Sequence, residues 1–125
     1  MAEEQMADTE QAAQSGQLSA VVTATDGIRV VALAGEIDHH TADTLRHALD
    51  ATDESCPRIV VDMGKVTFMD SSGINIFIAA HRALSEAGGW LRLAAPTENV
   101  MRTMSIVGLD GFVDCRASLS QALGD

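Results

Sequence analysis

The 125-residue chain is 46% hydrophobic but only 3% aromatic, so it has the length for one core built from Val, Ile, Leu, Ala and Met and not for two ordinary domains. Its 18 acids against 8 Lys and Arg give a net charge of -10, which argues against binding to nucleic acid through counterion release and suits a basic protein partner or simply solubility. No apolar run approaches the roughly 18 residues of a membrane span, and the start lacks the basic flank and apolar run of a signal peptide, so a cytoplasmic protein without membrane contact is expected.

The acids are uneven along the chain: residues 1–62 hold 12 against 3 bases, and residues 63–125 hold 6 against 5. Residues 1–17 are acids, Gln and Ala without aliphatic periodicity, the composition of a disordered acidic tail, with a short Ala-Gln helix as the alternative. From Ser19 two β-rich runs, Ala20 to Thr25 and Ile28 to Leu33, flank Asp26-Gly27, a dipeptide that accepts positive φ and predicts a hairpin. Ala42, Leu45, Ala48 and Leu49 at three- and four-residue spacing predict a helix over 41–51, and Pro57 closes the connection.

Arg58 to Met63 reads as a strand buried on both faces, followed by a loop from Gly64 to Asp70. A helix over 72–87 ends at Gly88-Gly89, Trp90 to Ala94 is a strand, and Pro96 breaks it. Thr97 caps a helix carrying Val100, Met101, Met104 and Val107 and stopped by Gly108; Phe112 to Cys115 is a last strand; Ser118 caps a short terminal helix. The order ββαβαβαβα implies an α/β domain with a mixed, mostly parallel sheet, an antiparallel strand added by the opening hairpin, and about four helices.

Catalytic signatures are missing. There is no glycine-rich phosphate loop, Lys65 is the only lysine, and no nucleophile elbow ties a serine to His39, His40, His47 or His81, so no enzyme and no cofactor are expected. Cys56 and Cys115 are far apart with no histidine at metal spacing, which predicts reduced structural thiols and no metal site. Asp62, near a strand end, lacks the acidic pair and lysine of a phospho-acceptor site and reads as an ordinary carboxylate.

The informative segment is Val66-Thr67-Phe68-Met69-Asp70-Ser71-Ser72-Gly73-Ile74. Asp and Ser before an apolar helical run satisfy free backbone N–H groups at a helix start, and plain capping explains them on composition alone. The same place accommodates a phosphate, because the free N–H donors and the positive end of the helix dipole face it.

Gly35-Glu36-Ile37-Asp38-His39-His40-Thr41-Ala42-Asp43-Thr44-Leu45, followed by Phe68-Met69-Asp70-Ser71-Ser72-Gly73, resembles the STAS domain of bacterial anti-sigma-factor antagonists of the sporulation and stress-response type. The likeness runs from about Ser19 to Leu123, so residues 18–125 are expected to form that domain. It implies that Ser71 is phosphorylated by a partner anti-sigma factor that is itself a serine kinase, with Ser72 as second choice. It further implies that a serine phosphatase reverses the mark and that Asp38 lies on the binding surface. The unphosphorylated form would then capture the anti-sigma factor and free the sigma factor for transcription. A STAS scaffold subunit of a larger signalling or transport complex is the alternative, which the short tail does not favour.

At about 100° per residue, Ile76, Ala79, Ala80, Ala83, Leu84 and Ala87 fall on one arc with Phe77 at its edge, and this arc is expected to face the sheet. Ile74 and Ile78 land opposite, beside His81, and are expected outward as partner contacts together with Asp38, Asp70, Ser71, Ser72 and Gly73, the alternative for the two isoleucines being cover by a neighbouring helix or ordinary scattered surface positions.

Overall fold

The computed structural model describes residues 17–50 and 57–124. The expectation of a disordered tail falls on residues 1–16, outside the described residues, as does Cys56. Strands β1 (Leu18–Thr25) and β2 (Ile28–Ile37) precede helix α1 (Ala42–Ala48), and then come β3 (Arg58–Met69), α2 (Ser71–Glu86), β4 (Trp90–Ala94), α3 (Glu98–Ile106), a 3-10 turn (Leu109–Gly111), β5 (Asp114–Arg116) and α4 (Leu119–Leu123). Among the described residues no helix is long and apolar enough to cross a membrane.

Asp26 and Gly27 take φ of 52° and 80°, the left-handed values a two-residue hairpin needs, and β1 pairs antiparallel with β2 from Leu18–Gly35 to Thr25–Ile28 without a shift. The remaining pairs are parallel, and the strands lie in chain order, β1-β2-β3-β4-β5. Right-handed crossovers that always step the same way leave their helices on the same face. Residues of α1, α2 and α3 accordingly share one core with Val31, Leu33, Ile59, Val61 and Leu93, while Ala122, Leu119 and Leu123 of α4 cover the opposite face at Ile28, Val60 and Ala94.

The expected loop over 64–70 is instead the second half of β3. Against β2 the register slips twice, between Ala32 and Ala34 and between Gly35 and Glu36, so twelve residues of β3 run beside ten of β2. Each slip is a bulge that breaks the alternation by which a strand is read. Asp62 braces the first: its Oδ1 accepts from the Gly64 amide at 3.0 Å. The last strand also sits later than expected, at Asp114–Arg116, because Leu109–Gly111 forms a 3-10 turn and the amides of Phe112 and Val113 are spent on the Leu109 carbonyl.

Candidate functional site

Two strand ends build the site. Ile37 pairs with Met69, so Asp38 and Asp70 leave adjacent strands side by side, and the Asp70 amide donates to the Ile37 carbonyl at 3.1 Å. Asp70 is the N-cap of α2: its Oδ1 accepts from the Ser72 amide at 2.8 Å and its carbonyl from the Gly73 amide at 3.1 Å. Ser71 is exposed at the first helical position, with no hydrogen bond to its hydroxyl among the described residues. Ser72 is half-buried.

Gly73 brings the helix down onto the strand ends. A β-carbon there would sit 2.6 Å from Ile37 Cγ2 and 2.7 Å from Met69 Cγ, so no larger residue fits without displacing those side chains or α2. Asp38 is fixed by a closed set of bonds. Its Oδ1 accepts from the amides of His40 (2.9 Å) and Thr41 (3.1 Å). The Thr41 hydroxyl in turn accepts from the Asp38 amide and donates to the Glu36 carbonyl, both at 2.9 Å. Thr41 is a buried polar residue, 5% exposed, and the sequence reading missed it; the Asp-x-x-Thr spacing of a local cap was the available signal.

The burial arc of α2 departs from expectation. Its centre lies at Gly73, Phe77 and Leu84, and Ala79, Ala83 and Ala87 are exposed. Ile74, expected outward, is only 7% exposed and belongs to the core; Ile78 is half-buried against it, and His81 packs edge-on to Phe112 at 4.9 Å. Treating each alanine as equal to Phe77 turned the expected face by roughly a quarter turn, whereas burial follows the largest side chain. Ala79 instead helps line an open groove of about 730 Å³ between α1 and α2 that reaches Ser72. The large apolar side chain exposed beside the helix start is Phe68, which a loop reading of 64–70 could not orient.

The site's side chains offer carboxylates already bonded to backbone and, in Ser71, an exposed unbonded hydroxyl at the positive end of a sixteen-residue helix. Among the described residues no group of three or more His, Cys, Asp or Glu is placed to hold a metal ion.

The STAS domain model matches residues 19–122. The chain belongs to the STAS domain family. Within it, the chain is 32% identical over 85 residues to the anti-sigma F factor antagonist of Paenibacillus polymyxa, covering 66% of this chain and 73% of that protein. It is 32% identical over 87 residues to the anti-sigma-B factor antagonist of Bacillus subtilis, covering 70% and 80%. An anti-sigma factor antagonist from Mycobacterium paratuberculosis has a crystal structure that superposes with a TM-score of 0.77 at 30% identity, over 88% of this chain and 96% of that one. The mixed sheet with its antiparallel hairpin and four helices is thus a STAS fold, as the resemblance implied.

Proposed function

We propose that this STAS protein is an anti-sigma factor antagonist whose unphosphorylated form binds a serine-kinase anti-sigma factor and frees the sigma factor, and which phosphorylation of Ser71 switches off. The observation that carries this reading is an exposed, unbonded Ser71 hydroxyl directly after the capping Asp70, in a family whose similar members are named anti-sigma factor antagonists. Ser72 is the weaker acceptor, being half-buried with its amide committed to Asp70. The chain serves as substrate and ligand, with a serine phosphatase as the resetting activity, in the cytoplasm and without direct contact to nucleic acid or membrane.

The docking surface in this reading comprises Asp38, Asp70, Ser71, Ser72 and the Phe68 ring. Gly73 and Ile74 act from beneath by seating the helix, and Ile78 contributes only its exposed edge. Phosphoserine brings about -1.5 to -2 charges next to Asp70 on a protein already at -10. The helix start absorbs that charge in the free domain. Against a partner, the phosphate must shed water and face the phosphates of the kinase's own nucleotide, so binding is lost while the fold is kept.

The test is calorimetry with a nucleotide-loaded serine-kinase anti-sigma factor from the same cell. Ser71→Asp is expected to bind far more weakly than Ser71→Ala, with matching circular dichroism and similar melting. Phosphate incorporation into wild type and none into Ser71→Ala is the accompanying expectation. Equal affinity of the two variants refutes the electrostatic switch, and labelling of Ser71→Ala at Ser72 moves it by one residue.

A further inference from the structure

The two edges of the sheet are guarded very differently. At one edge β5 is three residues long, and two of them, Asp114 and Arg116, are charged and paired with each other at 2.8 Å, the usual protection of an edge. At the other edge β1 runs eight residues, Leu-Ser-Ala-Val-Val-Thr-Ala-Thr, with no charge, no proline and no bulge. At its centre Val21 and Val22 are 59% and 50% exposed. Successive side chains of a strand point to opposite faces, so both faces are open at the centre of this edge, while Leu18 and Ala20 nearer its start are half-buried against the core.

The register fixes which backbone groups are free. In a two-residue hairpin the residues flanking the turn, Thr25 and Ile28, exchange both hydrogen bonds, and such pairs then alternate along the ladder. The bond from the Glu36 amide to the Gln17 carbonyl keeps this parity. The odd-numbered residues of β1 therefore point their N–H and C=O groups at β2, and Leu18, Ala20, Val22 and Ala24 point theirs outward.

We propose that this edge pairs with the same edge of a second copy of the chain, antiparallel about a two-fold axis at Val21, joining the two sheets into one of ten strands. With the axis there, Leu18 meets Ala24 of the second copy and Ala20 meets Val22 of the second copy. Every outward N–H and C=O of the four residues then finds a partner, and the ladder closes as isologous pairing requires. Val21 faces Val21 of the second copy at a non-hydrogen-bonded position, where the side chains approach most closely, and Ser19 faces Thr23. No like charges meet within the strand pair. A contact of this size lies below the about 1,000 Å² of a stable interface, and a charge of -10 on each copy opposes it. The association is therefore weak and is strengthened by salt, which shortens the screening length from about 10 Å at 0.1 M to about 3 Å at 1 M.

Sedimentation of the full chain over a range of concentrations is expected to show a monomer–dimer equilibrium that shifts toward dimer with added NaCl. Val21→Lys is expected to weaken it at least about tenfold, or ~1.4 kcal/mol, with unchanged circular dichroism, since the position is exposed. Mild oxidation of Val21→Cys in a Cys56→Ala/Cys115→Ala background is expected to give a reducible dimer linked through position 21. Val22→Cys in that background is expected to stay unlinked, because two such residues lie diagonally about 7–8 Å apart, beyond disulfide reach. A chain that stays monomeric at all salt and protein concentrations overturns the proposal. A dimer indifferent to Val21→Lys, or linked through position 22 rather than 21, overturns it equally.

Discussion

At position 73 a single added methyl group would press on two side chains beneath the helix start. Because a β-carbon there meets Ile37 and Met69 inside 2.8 Å, Gly73→Ala is expected to destabilise by about 1–3 kcal/mol in urea denaturation, the usual cost of overpacking. It should also weaken phosphorylation by lifting the helix start away from Asp38. One residue further on, Ile74→Ala is expected to cost about 2–4 kcal/mol, because the side chain is in the core. Ile78→Ala, at a half-buried position, is expected to cost clearly less, and equal losses for the two would contradict the burial arc of α2. Cys115 is half-buried, and burial, with Asp110 and Asp114 nearby, pushes its thiol up to about 11. The thiolate is the reactive form, so alkylation at pH 8, followed at this residue by mass spectrometry, is expected to be slow in the folded protein and fast in urea.

At the scale of elements, the cap and the charge of Asp70 can be separated. Asp70→Ala removes the acceptor for the Ser72 amide and is expected to lower stability by about 1 kcal/mol, whereas Asp70→Asn keeps a comparable cap while removing the charge that the phosphate would meet. If the switch is electrostatic, Asp70→Asn is expected to blunt the difference between Ser71→Ala and Ser71→Asp in partner binding, read by calorimetry, at nearly unchanged melting. The start of α2 was legible in the sequence because capping is local: Asp70, Ser71 and Gly73 declare it within four residues. The hairpin was legible for the same reason, in Asp26-Gly27. The second half of β3 was not, since two bulges erase the period-two pattern and the strand is set by pairing with residues about thirty positions earlier. The face of α2 was only partly legible. Four alanines, Ala79, Ala80, Ala83 and Ala87, leave the arc nearly flat, and Phe77 sets it only once the sheet beneath is known.

For the molecule as a whole, the C-terminal end is fastened by charge. Arg92 stacks on Trp90 at 3.8 Å, donates to the Ala122 carbonyl at 2.9 Å and lies 3.6 Å from Asp114, tying β4 to both β5 and α4. The hydrogen bonds from Arg116, with that guanidinium and Arg92 nearby, hold the Asp114 carboxyl below its usual 3.8. A carboxyl with a lowered folded pKa stabilises the fold above its unfolded pKa and loses that contribution as pH falls through the folded value. Asp114→Asn is therefore expected to melt lower than wild type near pH 6, by a modest margin for so exposed a pair, and the gap is expected to close as the pH is taken toward about 2. The strand order has a different consequence, in time. Because β2 to β5 are added in chain order, each new strand docks beside the one just laid down, and none waits for a partner made later. A chain emerging at about 5–20 residues per second can extend its sheet as it is synthesised, and in refolding the pairing of β1, β2 and β3 requires no closure beyond a two-residue turn and the crossover over 38–57. Pulsed hydrogen exchange is expected to protect the amides of these three strands before those of β5, leaving the three-residue edge as the last stretch to set.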